Sequence, residues 1–434
     1  MRILVVTQYF WPENFRINDL VAEFVRRGHE VTVLTGLPNY PAGALFPEFA
    51  ADRSAFENYE GATILRVPLV MRGRGRGVRL FANYLSFALS ASLLGAWRLR
   101  RRRTDAIFVF EPSPITVGLP AVIIGRIKRA PVTLWVLDLW PETLVALGVV
   151  RSRLLLALVS RMVRFIYDRC ALVLVQSRGF LPAVLRHSGR DDAAQRTRYF
   201  PNWSEPTATG RAAEPAPEVA WRPDLFTVVF TGNVGEAQDF PAILEAAERL
   251  RDEPRIRWVV VGDGRASRWV EEEVRNRGLE ERVLLVGRFP LERMPSFLRH
   301  AGALLVSLRA DPVFALTIPG KVQSYLQSGV PIVAMLDGEG ARVVEESGAG
   351  LACPAGDSDG LARAVLSLSA LAPEERTAMG QRGADYAARE FSREQLISRL
   401  EVMLAETVSA KQGSSAPASV AASDPGNHEG SGRI

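Results

Sequence analysis

Short β-rich runs alternate with helical segments along almost the whole chain, and this alternation limits the possible folds more than any other feature. In the first half, β-rich runs separated by helical patterns are predicted at residues 2–7, 29–35, 63–68, 105–111, 131–138 and 171–177. The pattern restarts with runs at 226–232, 256–262, 283–287, 303–308, 331–336 and 350–354. Such alternation is typical of parallel sheets covered by helices on both faces. The sequence therefore predicts an α/β protein with two Rossmann-like, doubly wound domains.

Composition marks the boundaries of these units. Residues 201–224 are rich in Pro, Ala, Thr and Glu without periodicity, which predicts a linker between a first domain over 1–200 and a second over 225–390. A helical pattern predicts a closing helix over 391–410. The low-complexity residues 411–434 predict a disordered tail.

Charge and cysteine content narrow the cellular setting. A formal charge of +5 is modest for 434 residues, so the whole-chain charge gives no argument for a nucleic-acid partner. Cys170 and Cys353 lie far apart within apolar patterns, which is typical of buried free thiols in a reducing compartment. The N-terminus begins as a strand and lacks the pattern of a secretory signal. These features predict a cytoplasmic protein.

Residues 311–335 carry the most specific functional signal, because they read as a loop, a helix and a buried strand. Pro319 suits the first helical turn and Gly329 the left-handed position after the helix, so the helix should begin near Thr317 to Pro319. Free backbone N–H groups at that end, with Lys321 one turn in, favour a phosphate. Lys321 is one of three lysines among 53 Lys and Arg residues, which suits a compact charge where an arginine fork does not fit. The alternative is an ordinary surface lysine at a helix start.

Eight short segments, distributed in order over nearly the whole chain, carry a family resemblance. They are QYFWPE (8–13), GHEVTVLTGLPNYPAG (28–43), DLWPET (138–143), FPNW (200–203), TGNVGEAQ (231–238), VGDG (261–264), VGR (286–288) and TIPGKVQSYLQSGVPIVAMLDGEGA (317–341). Together they resemble the retaining GT-B glycosyltransferases of family 4, and within them the colanic-acid and O-antigen branch of fucosaminyltransferase-like enzymes. The resemblance implies two Rossmann-like domains facing a central cleft, with a terminal helix returning toward the first.

The resemblance also implies that the second domain binds a nucleotide-diphosphate sugar, with UDP as the expected nucleotide. Lys321 and the backbone N–H groups around it would hold the diphosphate, and Arg288 would approach from the neighbouring strand end, so that fixed positive charge stabilises the leaving group. Arg288 as a cleft-edge or surface arginine is the alternative. The implied donor-binding residues are Gly232, Asn233, Gly235, Gln238, Arg288, Phe289, Thr317, Ile318, Pro319, Gly320, Lys321 and Ser324.

One departure from the family pattern concerns the ribose. The family often carries two glutamates seven residues apart across this loop and helix, but here the second position is Ser324 and the first falls near Leu316, so neither is acidic. The hydroxyl of Ser324 supplies at most part of the contact that a glutamate would make. We interpret the loss as a feature of the branch rather than as the mark of an inactive site. Gln238 likewise stands where many relatives have a basic phosphate ligand.

The first domain would bind the acceptor. Asp138 lies at the carboxyl end of the run 131–138, where a carboxylate orients an acceptor hydroxyl or takes its proton. Alternatively, Asp138 caps the turn before Trp140-Pro141. The predicted catalytic residues are therefore Asp138, Lys321 and Arg288. The predicted acceptor-binding residues are Glu13, Asn14, Arg16, Asn39, Tyr40, Asp138 and Glu142, of which Glu142 also suits a helix start. No metal site is predicted, and the resemblance implies no metal cofactor.

Residues 72–103 raise the question of membrane contact. Arginine-rich RGRGRGVR precedes the uncharged 18-residue run LFANYLSFALSASLLGAW, and RLRRRR follows it. Hydropathy alone makes the run a transmembrane candidate, but the strands on either side belong to one predicted sheet, which opposes a single span. A helix that docks on an anionic membrane surface fits the basic flanks, and a simple buried crossover helix remains open.

The family resemblance implies a retaining glycosyltransferase that moves a hexose or amino-hexose, such as an N-acetylfucosamine-like sugar, to a lipid-linked or growing surface polysaccharide. Its location would be peripheral, at the inner face of the plasma membrane. Two alternatives stay open: a sugar-nucleotide 2-epimerase of similar fold, and a non-catalytic GT-B subunit, which the missing glutamates alone support.

Overall fold

The computed structural model describes residues 1–73, 77–146, 148, 150–204 and 214–413. Most of the predicted tail and residues 205–213 of the predicted linker lie outside this range, as do residues 74–76 of the predicted membrane segment. The strands are β1 Arg2–Val6, β2 Glu30–Gly36, β3 Asn58–Tyr59, β4 Ala62–Val67, β5 Ala106–Glu111, β6 Val132–Val136, β7 Leu172–Val175, β8 Thr197–Tyr199, β9 Phe226–Thr231, β10 Ile256–Val261, β11 Val283–Gly287, β12 Ala303–Ser307, β13 Ile332–Met335 and β14 Gly350–Cys353.

Helices connect these strands in the alternating order that the sequence predicts. They are α1 Arg16–Arg26, α2 Pro47–Ala51, α3 Gly77–Ser90, α4 Ala96–Leu99, α5 Gly118–Lys128, α6 Glu142–Ala146, α7 Arg153–Tyr167, α8 Phe180–His187, α9 Ala193–Arg196, α10 Phe240–Arg249, α11 Ser267–Asn276, α12 Met294–Leu298, α13 Pro312–Ala315, α14 Gly320–Ser328, α15 Glu339–Glu346, α16 Ser358–Ala370, α17 Pro373–Glu390 and α18 Arg393–Gly413. A π-helical turn, Ala91–Gly95, joins α3 to α4.

The strands form two separate sheets. The first has the order β3-β4-β2-β1-β5-β6-β7-β8, and only the short β3 runs antiparallel to its neighbour. The second has the order β11-β10-β9-β12-β13-β14 and is parallel throughout. In each sheet the strand order reverses next to the first strand, between β1 and β5 and between β9 and β12. Ligands of doubly wound sheets bind at such switch points, so the two carboxyl edges define the cleft of the predicted GT-B fold, which is confirmed.

The last helix belongs to the core of the first domain although it follows the second in the chain. Its buried apolar residues pack against α1, through the side chains of Leu396, Ile397, Leu400, Met403 and Leu404. At its start, the Arg393 guanidinium pairs with Asp19 at 2.6 Å and with Glu23 at 3.1 Å. The helix continues beyond the predicted end at residue 410 to Gly413, because Lys411 and Gln412 are good helix formers.

Contacts across the cleft join the two domains near α14. The backbone N–H of Arg178 donates to Glu339 at 3.1 Å, and the Ser177 hydroxyl donates to the carbonyl of Leu316. The Gln323 amide donates to the carbonyl of Asn202 at 3.0 Å. Helix α6 of the first domain also contacts α13 of the second. Because α6 follows Asp138 and α13 precedes Thr317, the predicted acceptor and donor segments lie on facing edges of the cleft.

Candidate active site

Helix α14 begins at Gly320, with Pro319 as its N-cap residue, and ends before Gly329 in the left-handed conformation (φ 70°). The predicted start at Thr317 to Pro319 is therefore one residue or more too early, because Pro319 is extended (ψ 136°). Gly320 is exposed, and a side-chain carbon added there would meet open space. The first backbone N–H groups of α14 thus face a region that a ligand can enter.

The side chain of Lys321 lies at this helix start with its charge unpaired. Its Nζ is buried, makes no hydrogen bond within the described residues, and sits 3.5 Å from the ring centroid of Phe230. Burial lowers the pKa of the Lys321 ammonium group to about 7. A buried cation without an anionic partner is costly. A negatively charged ligand group that reaches Nζ would supply the missing partner for this charge.

Gly232, which follows β9, lets the backbone lie close to the side chain of Lys321. Its φ is 111°, and a Cβ added there would lie 3.0 Å from Cε of Lys321. The neighbouring turn is equally crowded, because a Cβ on Gly262 would lie 1.8 Å from the Gly232 carbonyl oxygen. Glycine at both positions lets two backbone turns and the lysine occupy one small volume.

Other predicted donor residues surround the same turn. Gly235 is buried, and the Asn233 amide donates to Gln238 at 3.3 Å, so these side chains hold the turn together. Arg288 is exposed just after β11, and its charge lowers the pKa of Asp263, which hydrogen bonding by Ser267 lowers most. Arg288 therefore stands at the cleft edge, where its guanidinium is accessible to solvent.

Four predicted donor residues are already engaged by the protein. The Thr317 hydroxyl donates to the carbonyl of Phe314 at 2.9 Å, and the Ser324 hydroxyl donates to Gly320 on its own helix at 3.3 Å. Ile318 is buried. The ring of Phe289 packs on Phe297 at 5.0 Å within the core of the second domain. These side chains shape the loop, and their backbone groups are the parts available to a donor.

In the first domain, Asp138 follows β6 at the carboxyl edge. Its Oδ1 accepts a hydrogen bond from the Thr143 hydroxyl at 2.5 Å, and its Oδ2 accepts one from the Trp140 indole at 3.2 Å. Burial raises the pKa of the Asp138 carboxyl, and these donors oppose that rise. The observed position of Asp138 is thus compatible with both alternatives that the sequence left open, which are capping of the turn and a role in the cleft.

Glu111, the last residue of β5, is a buried acid that the sequence analysis missed. Neither carboxylate oxygen has a hydrogen-bond partner in the described residues, and burial, reinforced by the charge of Asp138, raises its pKa well above the ordinary value. The hydroxyl of Tyr167 is also buried without a partner there. The sequence contained the signal, because Glu111 ends the β-rich run 105–111 just as Asp138 ends the run 131–138.

Three of the predicted acceptor residues form one buried network. Oε1 of Glu13 accepts hydrogen bonds from the backbone N–H groups of Asn39 at 2.8 Å and of Tyr40 at 2.7 Å, and Oε2 accepts one from Phe10 at 3.0 Å. Burial raises the pKa of Glu13 to about 7. Glu13 therefore fixes the loops after β1 and β2, and Tyr40 is the member that reaches the cleft surface.

The remaining acceptor candidates are not brought together. Asn14 is exposed, whereas the Arg16 guanidinium donates to the carbonyl of Trp203 and stacks on its ring at 5.5 Å. Glu142 begins α6, as predicted, and pairs with His187 at 3.0 Å. Arg16 thus anchors the connection between the domains, and Glu142 anchors α6 against α8.

A cavity of about 300 Å³ opens beside Asp138, between the loops after β1 and β2 and helix α3. A larger groove of about 920 Å³ lies at the other end of the first sheet, between α5, α7 and α18, and none of the predicted site residues lines it. Across residues 1–73, 77–146, 148, 150–204 and 214–413, no group of three or more His, Cys, Asp or Glu residues is arranged to hold a metal ion.

Two family profiles match the chain, one in each domain. Residues 14–203 match the family described as glycosyl transferase 4-like domain. Residues 226–370 match the family described as glycosyl transferases group 1. The first match ends after β8 and the second begins at β9, so the division between the matches coincides with the division between the sheets.

Relatives with known names extend over most of the chain. A protein of Escherichia coli strain K12, named as a colanic acid biosynthesis glycosyl transferase, WcaI, is 27% identical over 347 residues, which cover 76% of this chain and 82% of WcaI. A Pseudomonas aeruginosa protein named as a glycosyltransferase, WbjE, is 28% identical over 327 residues, covering 72% and 79%. Neither name specifies the transferred sugar.

A solved structure of similar shape is that of Anabaena HepE in complex with UDP and glucose. It superimposes with a TM-score of 0.65 at 15% sequence identity and covers 94% of this chain and 100% of HepE. At this identity the likeness shows the fold alone, which is the two-domain arrangement described above.

Proposed function

Since residues 14–203 match a glycosyl transferase 4-like domain and residues 226–370 match glycosyl transferases group 1, we propose that this chain is a retaining hexosyltransferase. Its donor is a UDP-linked hexose or amino-hexose, and its acceptor is a lipid-linked or growing surface polysaccharide. Transfer forms the bond between an acceptor oxygen and the anomeric carbon while the bond from that carbon to the diphosphate oxygen breaks. The diphosphate keeps the electron pair, and the acceptor proton passes to Asp138.

The observation that carries this proposal is the unpaired ammonium group of Lys321 at the open N-terminus of α14. The buried Nζ, the accessible N–H groups after Pro319 and the glycine turn at Gly232 offer positive charge to one small region. A diphosphate supplies the matching negative charge. Fixed charge at that place stabilises the leaving group without reorganisation. That HepE was solved with UDP supports the choice of nucleotide.

The family relationship also bears on the alternatives. WcaI and WbjE are both named as transferases. Neither an epimerase nor a non-catalytic subunit is favoured by a feature of the site, because Lys321 and Asp138 stand on facing edges of one cleft and suit a two-substrate transfer. The proposal for the finer branch, transfer of an N-acetylfucosamine-like sugar, rests on the resemblance of the eight sequence segments taken together.

A nucleotide panel tests the donor. We expect UDP to raise the melting temperature of the protein and GDP and dTDP to do so less, since a ligand at 100 times its Kd stabilises by about 2.7 kcal/mol. UDP-linked hexoses and amino-hexoses, compared by thermal shift and then by UDP release, identify the sugar. If none of the nucleotides shifts the melting temperature at millimolar concentration, the donor assignment is wrong.

We further propose that the protein docks on the cytoplasmic face of an anionic membrane. Within the described residues one helix, Gly77–Leu99, is long and apolar enough to cross a bilayer, with 33% of its most apolar window buried. It connects β4 and β5 of a single sheet, which supports a crossover helix. Its outer face joins those of α5 and α7 in an apolar strip of exposed side chains: Leu85, Leu89, Leu93, Trp97, Ile123, Ile127, Leu154, Leu158 and Phe165.

Basic residues surround this apolar strip, which suits anionic lipid headgroups. The exposed arginines beside it are Arg98, Arg100, Arg101, Arg102, Arg103, Arg126, Arg129, Arg151, Arg153, Arg161, Arg164 and Arg169. The strip thus extends the predicted segment 72–103 to two further helices. A lipid-linked acceptor at the same surface would meet the enzyme without leaving the bilayer.

Vesicle flotation tests the docking. Wild-type protein should float with vesicles containing phosphatidylglycerol at low salt, and Leu89→Glu combined with Leu93→Glu should abolish flotation, because both side chains are exposed, at 64% and 70%. Val402→Glu, which changes another exposed apolar residue, on α18 (58%), is the control and should float as the wild type does. Failure of the wild type to bind these vesicles at low salt contradicts membrane docking.

A further inference from the structure

The amine of Lys321 lies in a part of the second domain that offers no acceptor for its protons. Nζ is buried and makes no hydrogen bond within the described residues, although an ammonium group carries three donors. It lies 3.5 Å from the ring centroid of Phe230, and a Cβ added to Gly232 would also lie 3.5 Å from it. A ring face attracts an ammonium group only weakly. The protein alone therefore disfavours the protonated form of Lys321.

Titratable groups on the elements around Lys321 do not compensate for this burial. They lie on the turn after β9, on the loops after β10 to β13 and near or on α14 and α15, and comprise Glu236, Asp239, Asp263, Arg288, Arg309, Asp311, Tyr325, Asp337 and Glu339. Nζ makes no hydrogen bond with any of them in the part of the chain that the structure describes. The hydroxyl of Tyr325, which is nearest in sequence, bonds to the Thr231 hydroxyl at 3.0 Å. Burial is accordingly the cause of the lowered pKa of Lys321, about 7.

A negatively charged ligand reverses this balance. Desolvation disfavours the charged form of a buried lysine, whereas an opposite charge within hydrogen-bond distance favours it. A diphosphate carries such a charge, and the first backbone N–H groups of α14 direct an anion to the same place. In the protein alone, the two protonation states of Lys321 thus have similar free energies near neutral pH. Beside a diphosphate, the protonated state is strongly favoured.

We propose that donor binding is coupled to protonation of Lys321, so that the diphosphate of the sugar nucleotide binds together with one proton taken from solvent. The lone pair of the neutral amine forms the new N–H bond, and Nζ holds the proton until the nucleotide leaves and then returns it to solvent. By linkage, the affinity for the donor falls as the pH rises above neutrality. This inference rests on the proposed function and describes how its donor site acquires its charge.

The scarcity of lysine allows the protonation of Lys321 to be followed directly. The chain has three lysines, Lys128, Lys321 and Lys411, so protein labelled with ¹³C at the lysine Cε gives three NMR signals. The variants Lys321→Met, Lys128→Arg and Lys411→Arg assign them. We expect the Lys321 signal to titrate with a pKa of about 7 in the ligand-free protein and at least about two pH units higher with saturating UDP. The signal of exposed Lys411, on α18, is the internal control and should titrate identically with and without UDP.

Calorimetry counts the proton itself. UDP is titrated into the protein at about pH 8 in Hepes and in Tris, two buffers of different ionisation enthalpy, and because the second pKa of a phosphate is about 6, UDP is already ionised there. Wild type and Lys128→Arg should take up close to one proton per UDP, and the Kd for UDP should rise about 5- to 10-fold over the next pH unit. Lys321→Arg, whose guanidinium keeps its proton, should bind whatever UDP it binds without proton uptake.

The outcomes separate this inference from the proposed function. A Lys321 signal that titrates near the ordinary value of 10.5 without UDP overturns the inference. Equal binding enthalpies in the two buffers, in a wild type that binds UDP, also overturn it and leave the donor assignment intact. A wild type that does not bind UDP at any pH rejects the donor itself. If Lys321→Met does not fold, the other two variants assign the Lys321 signal by elimination.

Discussion

Replacing Lys321 by methionine should abolish donor binding and, at the same time, raise the stability of the ligand-free protein. The buried Nζ has no hydrogen-bond partner among the described residues, so its removal relieves a penalty on the order of 1–3 kcal/mol. The same change removes the charge that we assign to the diphosphate, for which kcat/KM should fall at least about 100-fold. Thermal melting with and without UDP, and the rate of UDP release, measure both effects.

The pH dependence of this gain follows from the lowered pKa of Lys321. Burial lowers that pKa from 10.5 to about 7. Between these values the unfolded chain holds a proton that the folded chain lacks, so this residue makes wild-type stability rise with pH. The advantage of Lys321→Met should therefore be largest below pH 7 and should shrink as the pH approaches 10.5.

Two further variants control this experiment. Lys321→Arg keeps the charge, but Cε of the lysine already lies 3.0 Å from a Cβ position on Gly232, so the larger guanidinium should not restore full activity. Arg268→Ala, at a 90% exposed side chain of α11, should leave melting and UDP binding unchanged. A Lys321→Met protein that still binds UDP with unchanged affinity would contradict the assignment of the diphosphate to α14.

Replacing Asp138 by asparagine should reduce transfer by about 10²–10⁴-fold while leaving UDP binding intact. The asparagine oxygen can still accept from the Trp140 indole while its NH2 donates to the Thr143 hydroxyl, so the loop keeps its shape, but the side chain cannot take a proton. Because burial raises the pKa of Asp138, the wild-type rate should also decline with falling pH above the ordinary range of an aspartate. Initial rates with a fixed donor and acceptor, measured as a function of pH, provide the comparison.

The control for this second substitution is Asp191→Asn, at an exposed aspartate of the same domain. Its transfer rate and melting temperature should equal those of the wild type. Equal loss of UDP binding and of transfer in Asp138→Asn would mean that the domain is damaged and that Asp138 has no separate role. Full activity of Asp138→Asn would show that Asp138 does not take the acceptor proton.

The sequence predicted those parts of the molecule that repeat or that lie close together in the chain. Alternating runs predicted both sheets, since buried parallel strands need continuous apolar residues. Gly329 and Pro319 predicted the ends of helix α14 to within about one residue. The assignment of Lys321 to phosphate binding required only its position in that helix. Local backbone chemistry was sufficient there because one segment, residues 317–329, contains the whole feature.

The parts that the sequence did not predict depend on contacts between distant segments. Arg72 was interpreted only as a basic flank of an apolar run, because nothing in its neighbours indicates that Tyr40 packs on it at 4.8 Å. Arg16 was assigned to the acceptor from its loop, but the connector residue Trp203 occupies its guanidinium. A position after a strand predicts the edge of the sheet on which a residue lies, and tertiary packing decides what its side chain contacts.

The packing of α18 on the first domain determines the order of events during synthesis. Leu396, Leu400 and Leu404 complete a core whose other members, including Phe24 of α1, leave the ribosome several hundred residues earlier. Domains generally fold as units while the chain is being made, from the N-terminus onward. Here the core of the first domain stays incomplete until the second domain has emerged and the last helix covers its apolar face.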